Sequence, residues 1–427
     1  MAARRRTRTG AVLIALAVTT SLDGWATAGA AVTQPVLAQL PVTASPPWGE
    51  GIVGGFDPDT GQTLMFGGNN VFGQSGDFAD NATWQWQAST SAWVQLRPAT
   101  SPPARERASM AYDAATHQML MFGGDDPQTG LYRTDTWSWT GSTWVRLMTT
   151  AHPAGPQRLV YDGATKQLLA IGSNNTTGAW ETWSWSGTAW TKLAPAQQPR
   201  NTSRTTAGYD RATNQLIAFS YDSNAVPQVW SWTGTTWRLL PATPSLPPNA
   251  AGELVFDAAL NELVLVGRNI VNGAIEAWAW SGAGWSLLAT VPSPATVSGP
   301  VIYNGAQGQL LAFFPLVGSR ATPQNQTWVL RAPTATNVAA STTGPATGAG
   351  VTLTSTVRAS TTVAAAGKVA FFDGTTALAG CAARPLTKGV ATCQVTFTVG
   401  SHTITAQYLP STGYLASTSA GLVITAH

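Results

Sequence analysis

The apolar positions of this chain recur in units of about 50 residues. Each unit begins with a short apolar run, and five of the six units continue with two Trp residues spaced W-x-W and then a third Trp. The first Trp of the units falls at intervals of 53, 46, 47, 48 and 50 residues, at Trp84, Trp137, Trp183, Trp230, Trp278 and Trp328. Self-similarity at such a period predicts a repeat architecture, in which neighbouring units bury each other's apolar faces.

The pattern inside a unit predicts four short β-strands. The first strand ends in an aromatic residue and an Asp or Asn, at Phe56-Asp57, Tyr112-Asp113, Tyr161-Asp162, Tyr209-Asp210, Phe256-Asp257 and Tyr303-Asn304. The second is the apolar run, at Thr63–Phe66, Met119–Phe122, Leu168–Ile171, Leu216–Phe219, Leu263–Val266 and Leu310–Phe314. Polar residues between the two strands predict hairpin turns, where an Asp side chain accepts backbone hydrogen bonds. The W-x-W spacing places both rings on one face of the third strand, and the third Trp opens the fourth.

Four antiparallel strands per unit are typical of a β-propeller blade. Each large aromatic ring buries about 150–250 Å², so we expect the Trp residues to supply much of the contact between blades. The sixth unit has no fourth strand, because the chain runs from Trp328 into Arg331-Ala332-Pro333. An N-terminal stretch, Val36–Pro41, matches the fourth strand at Trp93–Pro98 instead. We therefore predict an all-β fold in which residues 31–332 form a six-bladed β-propeller, closed by an N-terminal strand that completes the last blade.

Two further features of the repeats resemble the kelch repeat. They are the Gly-Gly pairs of Phe66-Gly67-Gly68 and Phe122-Gly123-Gly124, and the Pro-x-Arg segment Pro103-Ala104-Arg105 before the next first strand. The resemblance spans about residues 34–332 and implies a propeller of the galactose oxidase type. Copper-radical oxidases of that type use a Cys cross-linked to a Tyr together with His ligands. The propeller region has no Cys, which argues against that chemistry.

The segment 333–427 differs from the repeats, because Trp disappears and Thr, Ala, Val and Gly dominate. Alternating patterns predict strands at Val351–Val357, Gly367–Phe372, Val390–Phe397, His402–Tyr408 and Leu422–Thr425. The strings Gly367–Gly374 and Gly400–Tyr408 resemble the bacterial immunoglobulin-like repeat, which implies a β-sandwich that serves as a spacer or adhesion module. Cys381 and Cys393 flank a hairpin turn predicted near Leu386–Gly389. In an oxidising compartment they would form a disulfide, and two buried free thiols are the alternative.

Residues 1–30 are predicted to be a secretory signal peptide. Four Arg residues precede an apolar stretch at Ala11–Leu22, and small residues follow it. A basic disordered tail is the alternative. Removal of this segment leaves 19 basic and 19 acidic residues, so nothing indicates a nucleic-acid surface. There is no second long apolar stretch, which predicts that the mature chain has no membrane span.

Few residues could carry catalysis or bind a metal. The chain has 4 His residues and contains no H-E-x-x-H, C-x-x-C or G-x-S-x-G string. The repeated Asp57, Asp113, Asp162, Asp210 and Asp257 are predicted to be turn residues rather than a catalytic ring. Asp77, Asp80, Asp125 and Asp126, in the next connections, could serve as the paired acids of a glycosidase or as calcium ligands, with solvated loop acids as the alternative. A hydrolytic propeller could use loop acids such as Asp125, Asp126 and Asp135. We predict no cofactor and no metal.

The connections between second and third strands are the predicted binding surface, because they vary while the strands repeat. They span Asn69–Ala82, Asp125–Asp135, Ser173–Glu181, Tyr221–Gln228, Arg268–Glu276 and Pro315–Gln326. Aromatic rings there could stack on a sugar or a peptide, or simply pack the loop. The candidate ligand-binding residues are Asn69, Asn70, Phe72, Asp77, Asp125, Asp126, Tyr132, Trp180 and Glu181.

These features together favour a secreted, monomeric, non-catalytic binding or adhesion-type protein. Its propeller loops would contact an extracellular protein or glycan, and the immunoglobulin-like domain would space or attach the propeller. An extracellular carbohydrate-active hydrolase that uses the loop carboxylates is one alternative. A structural component of the cell envelope without a discrete ligand is another.

Overall fold

A computed structural model describes residues 34–46, 50–69, 80–126, 128–199, 205–222, 226–241, 250–269, 271–292, 299–315, 325–359, 365–410 and 413–427. The chain is all-β throughout these ranges, with strands joined by turns and loops and no helix. It follows that the described residues include no helix able to cross a membrane. The predicted signal peptide at residues 1–30 lies outside the described ranges.

The repeats form strands in the predicted order. In the first three units and the N-terminal segment the strands are β1 (Val36–Gln39), β2 (Val53–Asp57), β3 (Gln62–Phe66), β4 (Thr83–Gln87), β5 (Ala92–Leu96), β6 (Ser109–Asp113), β7 (Gln118–Phe122), β8 (Asp125–Asp126), β9 (Leu131–Tyr132), β10 (Thr136–Trp139), β11 (Trp144–Leu147), β12 (Gln157–Asp162), β13 (Gln167–Ser173), β14 (Trp180–Trp185) and β15 (Trp190–Lys192). In the last three units they are β16 (Thr206–Asp210), β17 (Gln215–Tyr221), β18 (Pro227–Trp232), β19 (Trp237–Leu239), β20 (Ala250–Asp257), β21 (Glu262–Asn269), β22 (Ile275–Trp280), β23 (Trp285–Val291), β24 (Val301–Asn304), β25 (Gln309–Phe314) and β26 (Gln326–Arg331).

Each unit of the repeat contributes one four-stranded antiparallel sheet, as expected for propeller blades. We number the sheets 1 to 6 along the chain; their strand orders are β2-β3-β4-β5, β6-β7-β10-β11, β12-β13-β14-β15, β16-β17-β18-β19, β20-β21-β22-β23 and β24-β25-β26-β1. Strands β8 and β9 form a separate two-stranded hairpin. The first strand of each sheet contacts the first strand of the next, and β24 also contacts β2.

The turn between the first two strands has the same geometry in every sheet. Its first residue is the repeated Asp or Asn, and in sheet 1 Asp57 Oδ1 accepts the backbone N–H of Asp59 at 3.0 Å. Its fifth residue has a positive φ between 56° and 68°, at Gly61, His117, Lys166, Asn214, Asn261 and Gly308. Hairpins of this loop length place a left-handed residue before the second strand. The repeated Asp residues therefore shape turns, as predicted.

Neighbouring sheets are joined by Trp side chains. The third Trp of a unit donates its indole N–H to the Thr that precedes the first Trp of the preceding sheet. The pairs are Trp144 to Thr83 at 2.9 Å, Trp190 to Thr136 at 2.9 Å, Trp237 to Thr182 at 2.9 Å and Trp93 to Thr327 at 3.1 Å. The last of these pairs joins sheet 1 to sheet 6. The Trp residues thus supply contacts between sheets, as expected from the sequence.

The N-terminal strand lies in sheet 6. β1 pairs antiparallel with β26, with Val36 opposite Arg331 and Gln39 opposite Trp328. Leu40 continues the pairing, because its N–H donates to the carbonyl of Thr327 at 2.8 Å. Leu37 is buried with an exposed fraction of 4%. The fourth strand that the sixth unit lacks is therefore supplied by the segment that the sequence indicated.

The C-terminal part forms two further sheets. Its strands are β27 (Thr334–Ala340), β28 (Gly350–Ala359), β29 (Gly367–Asp373), β30 (Thr376–Ala377), β31 (Arg384–Pro385), β32 (Val390–Thr396), β33 (Gly400–Pro410), β34 (Ser417–Thr418) and β35 (Leu422–Ala426). β27, β28 and β32 form one sheet, and the other six strands form the second. Cys381 and Cys393 form a disulfide, as predicted. The part also contacts the chain just beyond sheet 6, because Ala332, the residue after β26, pairs with Tyr414 in a parallel bridge.

Candidate functional site

Sheets 1 and 2 each carry a pair of polar residues, a Glu opposite an Asn or Asp, at the edge where their first strands begin. The chain reads P-P-x-x-E before each of these strands, at Pro46–Glu50 and Pro102–Glu106. Glu50 pairs with Asn69, and Glu106 pairs with Asp125, in isolated antiparallel bridges. Each sheet is thus extended by one further residue pair toward this edge.

The Gly-Gly pairs after β3 and β7 allow the two extended edges to come close together. Gly67 has a φ of 71°, and a Cβ on it would lie 2.4 Å from the carbonyl oxygen of Arg105. Gly68 donates its N–H to that same oxygen at 3.0 Å, which ties sheet 1 to sheet 2. A Cβ on Gly124 would lie 2.7 Å from the carbonyl oxygen of Glu106. A larger residue at Gly67 would push the two edges apart, and a larger residue at Gly124 would disturb the pairing of Glu106 with Asp125 within sheet 2.

Four side chains meet at this edge, and we call Asn69, Glu106, Arg107 and Asp125 the acidic cluster. Glu106 and Asp125 exchange backbone hydrogen bonds at 3.0 and 2.7 Å. Residues directly opposite each other in this way have Cβ atoms about 4.5–5.5 Å apart on the same face of the sheet. Arg107 lies 3.2 Å from Glu106 Oε1 and 3.3 Å from Asp125 Oδ2. The amide of Asn69 is also hydrogen-bonded to Glu106.

The acidic cluster is buried but incompletely paired. Asn69, Glu106 and Asp125 have exposed fractions of 8%, 5% and 9%. Burial raises the pKa of both Glu106 and Asp125, and the charge of Arg107 offsets only part of that rise. One oxygen of each carboxylate is held by Arg107. The other, Glu106 Oε2 or Asp125 Oδ1, has no hydrogen-bond partner among the described residues, and neither has Asn69 Oδ1.

The β8–β9 hairpin stands directly beside the acidic cluster. Asp125 is opposite Tyr132, and Asp126 is opposite Leu131. Leu131 and Tyr132 have exposed fractions of 68% and 44%. Asp126 accepts the N–H of Gln128 at 3.0 Å and a bond from Arg133 at 2.9 Å, and it shapes the turn. Its burial raises the pKa, but these contacts outweigh that effect and hold the pKa below its usual value.

Asp135, one of the acids considered for hydrolysis, has internal partners. Its two oxygens accept from Arg105 Nη1 at 2.6 Å and Nη2 at 2.9 Å, and Trp137 donates to it at 2.7 Å. Burial raises the pKa of Asp135, but the bonds and charge of Arg105 bring it below its usual value. The buried Arg105 also donates to the carbonyl of Gly123 at 2.8 Å. Asp135 therefore holds the Pro-x-Arg segment in place.

Trp180 and Glu181 do not lie in a loop, and the expected loop Ser173–Glu181 is wrong at both ends. β13 continues to Ser173, and β14 begins at Trp180. Trp180 is buried and packs edge-on against Trp237 at 6.5 Å between ring centroids. Glu181 is buried as well, and it accepts from Asn174, Trp183 and Lys192 at 3.0, 2.9 and 2.6 Å. These contacts occupy the carboxylate of Glu181 and bury the ring of Trp180, whose indole N–H has no partner among the described residues.

The acceptor role of Glu181 recurs through the repeats. The residue two positions before the first Trp accepts its indole N–H in five sheets, at Asp135, Glu181, Gln228, Glu276 and Gln326. Side chains two residues apart lie on the same face of a strand, so the contact is local. The position serves the scaffold whether it is acidic or neutral.

The first strands of the six sheets line an open cavity of about 700 Å³. Arg158 and Glu253, from sheets 3 and 5, form an ion pair across it at 2.9 Å. The aromatic residues that end the first strands contribute to its lining, and Tyr112 donates its hydroxyl to Asp59 at 2.7 Å. The ion pair thus neutralises two of the charges that line the cavity.

The structure brings together only part of the predicted site. Asn69 and Asp125 meet in the acidic cluster, and Asp126 and Tyr132 lie beside it. Asn70, Phe72 and Asp77 lie outside the described residues. Glu50, Glu106 and Arg107 were not predicted, although the repeated P-x-x-E string and the Gly-Gly-Asn and Gly-Gly-Asp strings were a usable signal. They were missed because residues at repeated positions were interpreted as scaffold rather than as candidates for binding.

Comparison with known proteins identifies the C-terminal part. Residues 338–427 match the family described as Bacterial Ig-like domain (group 3), which confirms the resemblance. No curated protein matches the chain. Similar solved structures include YjhT, with 13% identity over 56% of this chain and 84% of that chain and a TM-score of 0.40. SapL1 lectin in complex with alpha methyl fucoside has 13% identity over 66% and 95%, with a TM-score of 0.41. The fucose-specific lectin from Aleuria aurantia has 11% identity over 70% and 95%, with a TM-score of 0.41.

Proposed function

We propose that the six sheets are the blades of one closed, kelch-like β-propeller that spans about residues 31–332. The proposal is supported by the contacts between successive first strands, including β24 with β2. It is also supported by a shared apolar cluster of sheets 1 and 6, in which Trp93 packs on Phe313 with ring centroids 6.3 Å apart. The pairing of β1 with β26 leaves no unit without a fourth strand.

We also propose that the protein is a non-catalytic binding protein that takes a carbohydrate on the surface formed by the β8–β9 hairpin and the acidic cluster. The observation that carries this proposal is the hairpin itself. It is the one described element of residues 34–332 that the repeats do not contain, and it presents Leu131 and Tyr132 to solvent. Function concentrates on such additions to a rigid scaffold.

The chemistry of this surface suits a sugar. Tyr132 offers a ring face and a hydroxyl, and an amphipathic aromatic of this kind contacts the C–H face of a sugar while its hydroxyl bonds a polar group. Arg107, with 57% of its side chain exposed, and Asp126, at 22%, offer a donor and an acceptor for sugar hydroxyl groups. A peptide ligand would use the same groups with less need for a flat ring, so peptides need to be tested alongside glycans.

The same proposal places the mature protein outside the cytoplasm. The disulfide and the bacterial Ig-like domain are compatible with that location. Residues 1–30 would be removed on export, and residues 333–427 would space or attach the propeller. Mass spectrometry of the protein recovered from culture medium or envelope fractions tests both points, because an intact N-terminus on protein confined to the cytoplasm would contradict them.

Glycan and peptide arrays probed with the mature chain, residues 31–427, test the ligand class. We expect binding to a defined set of glycans. Replacement of Tyr132 by Ala should weaken that binding about 3- to 10-fold, since contacts of an aromatic ring contribute about 0.5–1.5 kcal/mol beyond its buried area. The matched control is Val145→Ala, because Val145 is similarly exposed at 44% but lies on the outer strand β11.

Three outcomes would contradict the proposal. Equal losses for Tyr132→Ala and Val145→Ala would place the ligand elsewhere. Binding to peptides alone would change the ligand class. Turnover of a glycoside, abolished by Asp126→Asn, would show that the surface is catalytic and would favour the hydrolase.

A further inference from the structure

The acidic cluster holds two carboxylates in an arrangement that one Arg does not neutralise. Glu106 and Asp125 are directly opposite residues of an antiparallel pair, and like charges in that position destabilise a sheet. The side chain of Glu50, from the neighbouring sheet, also acts on Glu106 electrostatically. The two buried acids with Arg107 leave an excess of one negative charge, and the half-buried Glu50 adds a second negative charge nearby. A buried charge is costly unless it is paired, so this excess favours a further positive charge.

The oxygens left over at the acidic cluster are suited to one kind of partner. Arg107 takes Glu106 Oε1 and Asp125 Oδ2, so Glu106 Oε2 and Asp125 Oδ1 are left without a donor among the described residues, together with Asn69 Oδ1. All three residues are more than nine-tenths buried, as given above. A buried polar atom without a partner costs about 1–3 kcal/mol, and more when it is charged. Asn69 is hydrogen-bonded to Glu106 and Asp125 lies opposite Glu106, so one cation bound between these side chains would give each of the three oxygens a partner.

We propose that Asn69, Glu106 and Asp125 bind a calcium ion, with Asn69 contributing its amide oxygen. Calcium takes carboxylate and amide oxygens in a flexible geometry, whereas magnesium demands near-octahedral geometry and keeps its water. No three His, Cys, Asp or Glu side chains are arranged to hold a metal in the described ranges, so the amide oxygen is a required part of this site. The proposal departs from our expectation of no metal and does not depend on the ligand being a carbohydrate.

The position of the site gives calcium a structural effect. Asn69 belongs to the end of sheet 1, and Glu106 and Asp125 belong to sheet 2, where Asp125 also opens the β8–β9 hairpin. An ion bound by all three would fasten the two sheets and fix the base of the hairpin. Its loss should therefore lower the melting temperature of the protein and loosen the proposed binding surface.

Calorimetric titration of calcium into the metal-free mature chain tests the site. We expect one saturable site with an affinity in the range of about 0.1–1 mM, as in extracellular modules with few charged ligands. Asp125→Asn and Glu106→Gln should each weaken binding by at least about tenfold, since loss of even a supporting group commonly costs that much. Asn69→Asp keeps the shape and adds a charge, so it should bind calcium more tightly than the natural chain.

The neighbouring acid provides the matched control. Asp126 is adjacent in sequence but pairs with Arg133, so Asp126→Asn should bind calcium as the natural chain does. Melting temperatures with calcium and with EDTA show whether each variant folds, and only variants with an intact site should melt higher with calcium. An absence of saturable binding overturns the proposal, as does equal binding of magnesium or an equal loss in Asp126→Asn. Glycan binding measured in EDTA separates this result from the proposed function.

Discussion

Single residues determine whether two neighbouring sheets are joined by a Trp–Thr hydrogen bond. Two equivalent Trp residues in successive sheets differ in this bond. The indole N–H of Trp237 is bonded to Thr182, but Trp285, the same position one sheet later, has no partner among the described residues. The position that supplies the acceptor hydroxyl in the preceding unit, Thr182, is occupied here by Val229, whose side chain cannot accept a hydrogen bond. The chain thus offers one pair with the hydrogen bond and one without it in the same packing.

Two single substitutions, Thr182→Val and Val229→Thr, should change the free energy of unfolding in opposite directions. Thr182→Val leaves the buried indole N–H of Trp237 unsatisfied, so the free energy of unfolding should fall by about 1–3 kcal/mol. Val229→Thr keeps the shape and supplies an acceptor to Trp285, so it should raise that free energy by about 0.5–1.5 kcal/mol. Urea denaturation of both variants measures the difference. Equal destabilisation by both would mean that hydroxyl burial, rather than the bond, dominates.

At the scale of elements, the sequence was informative wherever a pattern repeated. The Trp spacing and the alternating runs indicated the four strands of each unit, because burial on a sheet face imposes period two. Among the described residues the β8–β9 hairpin occurs once, and its four strand residues include exposed Leu131 and Tyr132, so no periodic signal marked it. Trp180 was misplaced for a different reason, since the ring that it packs on, Trp237, belongs to the next sheet.

The acidic cluster was missed because it depends on register. The turn between β6 and β7 sets the register of the two strands, and the pair Glu106–Asp125 lies beyond the strands in that register. A shift of one residue would have placed Glu106 on the other face. Sequence alone indicated acids near this edge, but it did not indicate that two of them share a face.

The N-terminal strand allows a test at the element scale. Leu37 is buried at 4% exposure opposite Leu330, whereas Val36 in the same strand is exposed at 41%. Leu37→Ala should lower the free energy of unfolding by about 2–5 kcal/mol, as large-to-small changes in a core do. Val36→Ala should change it by less than about 0.5 kcal/mol. Similar small effects of both variants would show that β1 adds little to sheet 6.

At the scale of the whole molecule, the Ig-like domain packs against the last two sheets. Its core and the core between sheets 5 and 6 form one apolar cluster, which includes Leu260 and Tyr414. Leu260 replaces a Thr that recurs at Thr116, Thr165 and Thr213, where its hydroxyl donates to the turn Asp. In sheet 5 the exchange of Thr for Leu removes that donor and adds apolar surface to the cluster.

Asp257, the turn acid of sheet 5, lies beside this contact and has a raised pKa. Its Oδ1 accepts the N–H groups of Ala259 and Leu260 at 2.8 and 3.3 Å, and the side chain of Leu260 offers no hydroxyl. Burial raises the pKa of Asp257 to about 6, and the charge of Glu262 adds to the rise. Tyr303 and Tyr414 also lie close enough for Asp257 to raise the pKa of each of them, although burial is the larger cause.

The raised pKa makes the stability of the molecule depend on pH in a defined direction. The folded chain holds a proton on Asp257 up to about pH 6, while the unfolded chain loses it near the ordinary pKa of 3.8. The free energy of unfolding therefore falls as pH rises from about 4 through 6 and is lowest above that window. The substitution Asp257→Asn makes the side chain neutral at every pH and keeps the Oδ1 acceptor, which Asn304 provides at the same position in sheet 6.

Asp257→Asn should therefore be more stable than the natural chain at pH 7.5, by up to about 3 kcal/mol for a shift of this size. The gain should shrink as the pH falls toward 4, and melting curves at a series of pH values measure it. Asp210→Asn is the control, because Asp210 receives the Thr213 hydroxyl at 2.6 Å and loses a good contact when it becomes an amide. It should be destabilised at neutral pH. A loss of stability in Asp257→Asn with unchanged pH dependence would mean that Asp257 stays ionised and that the Ig-like domain does not desolvate it.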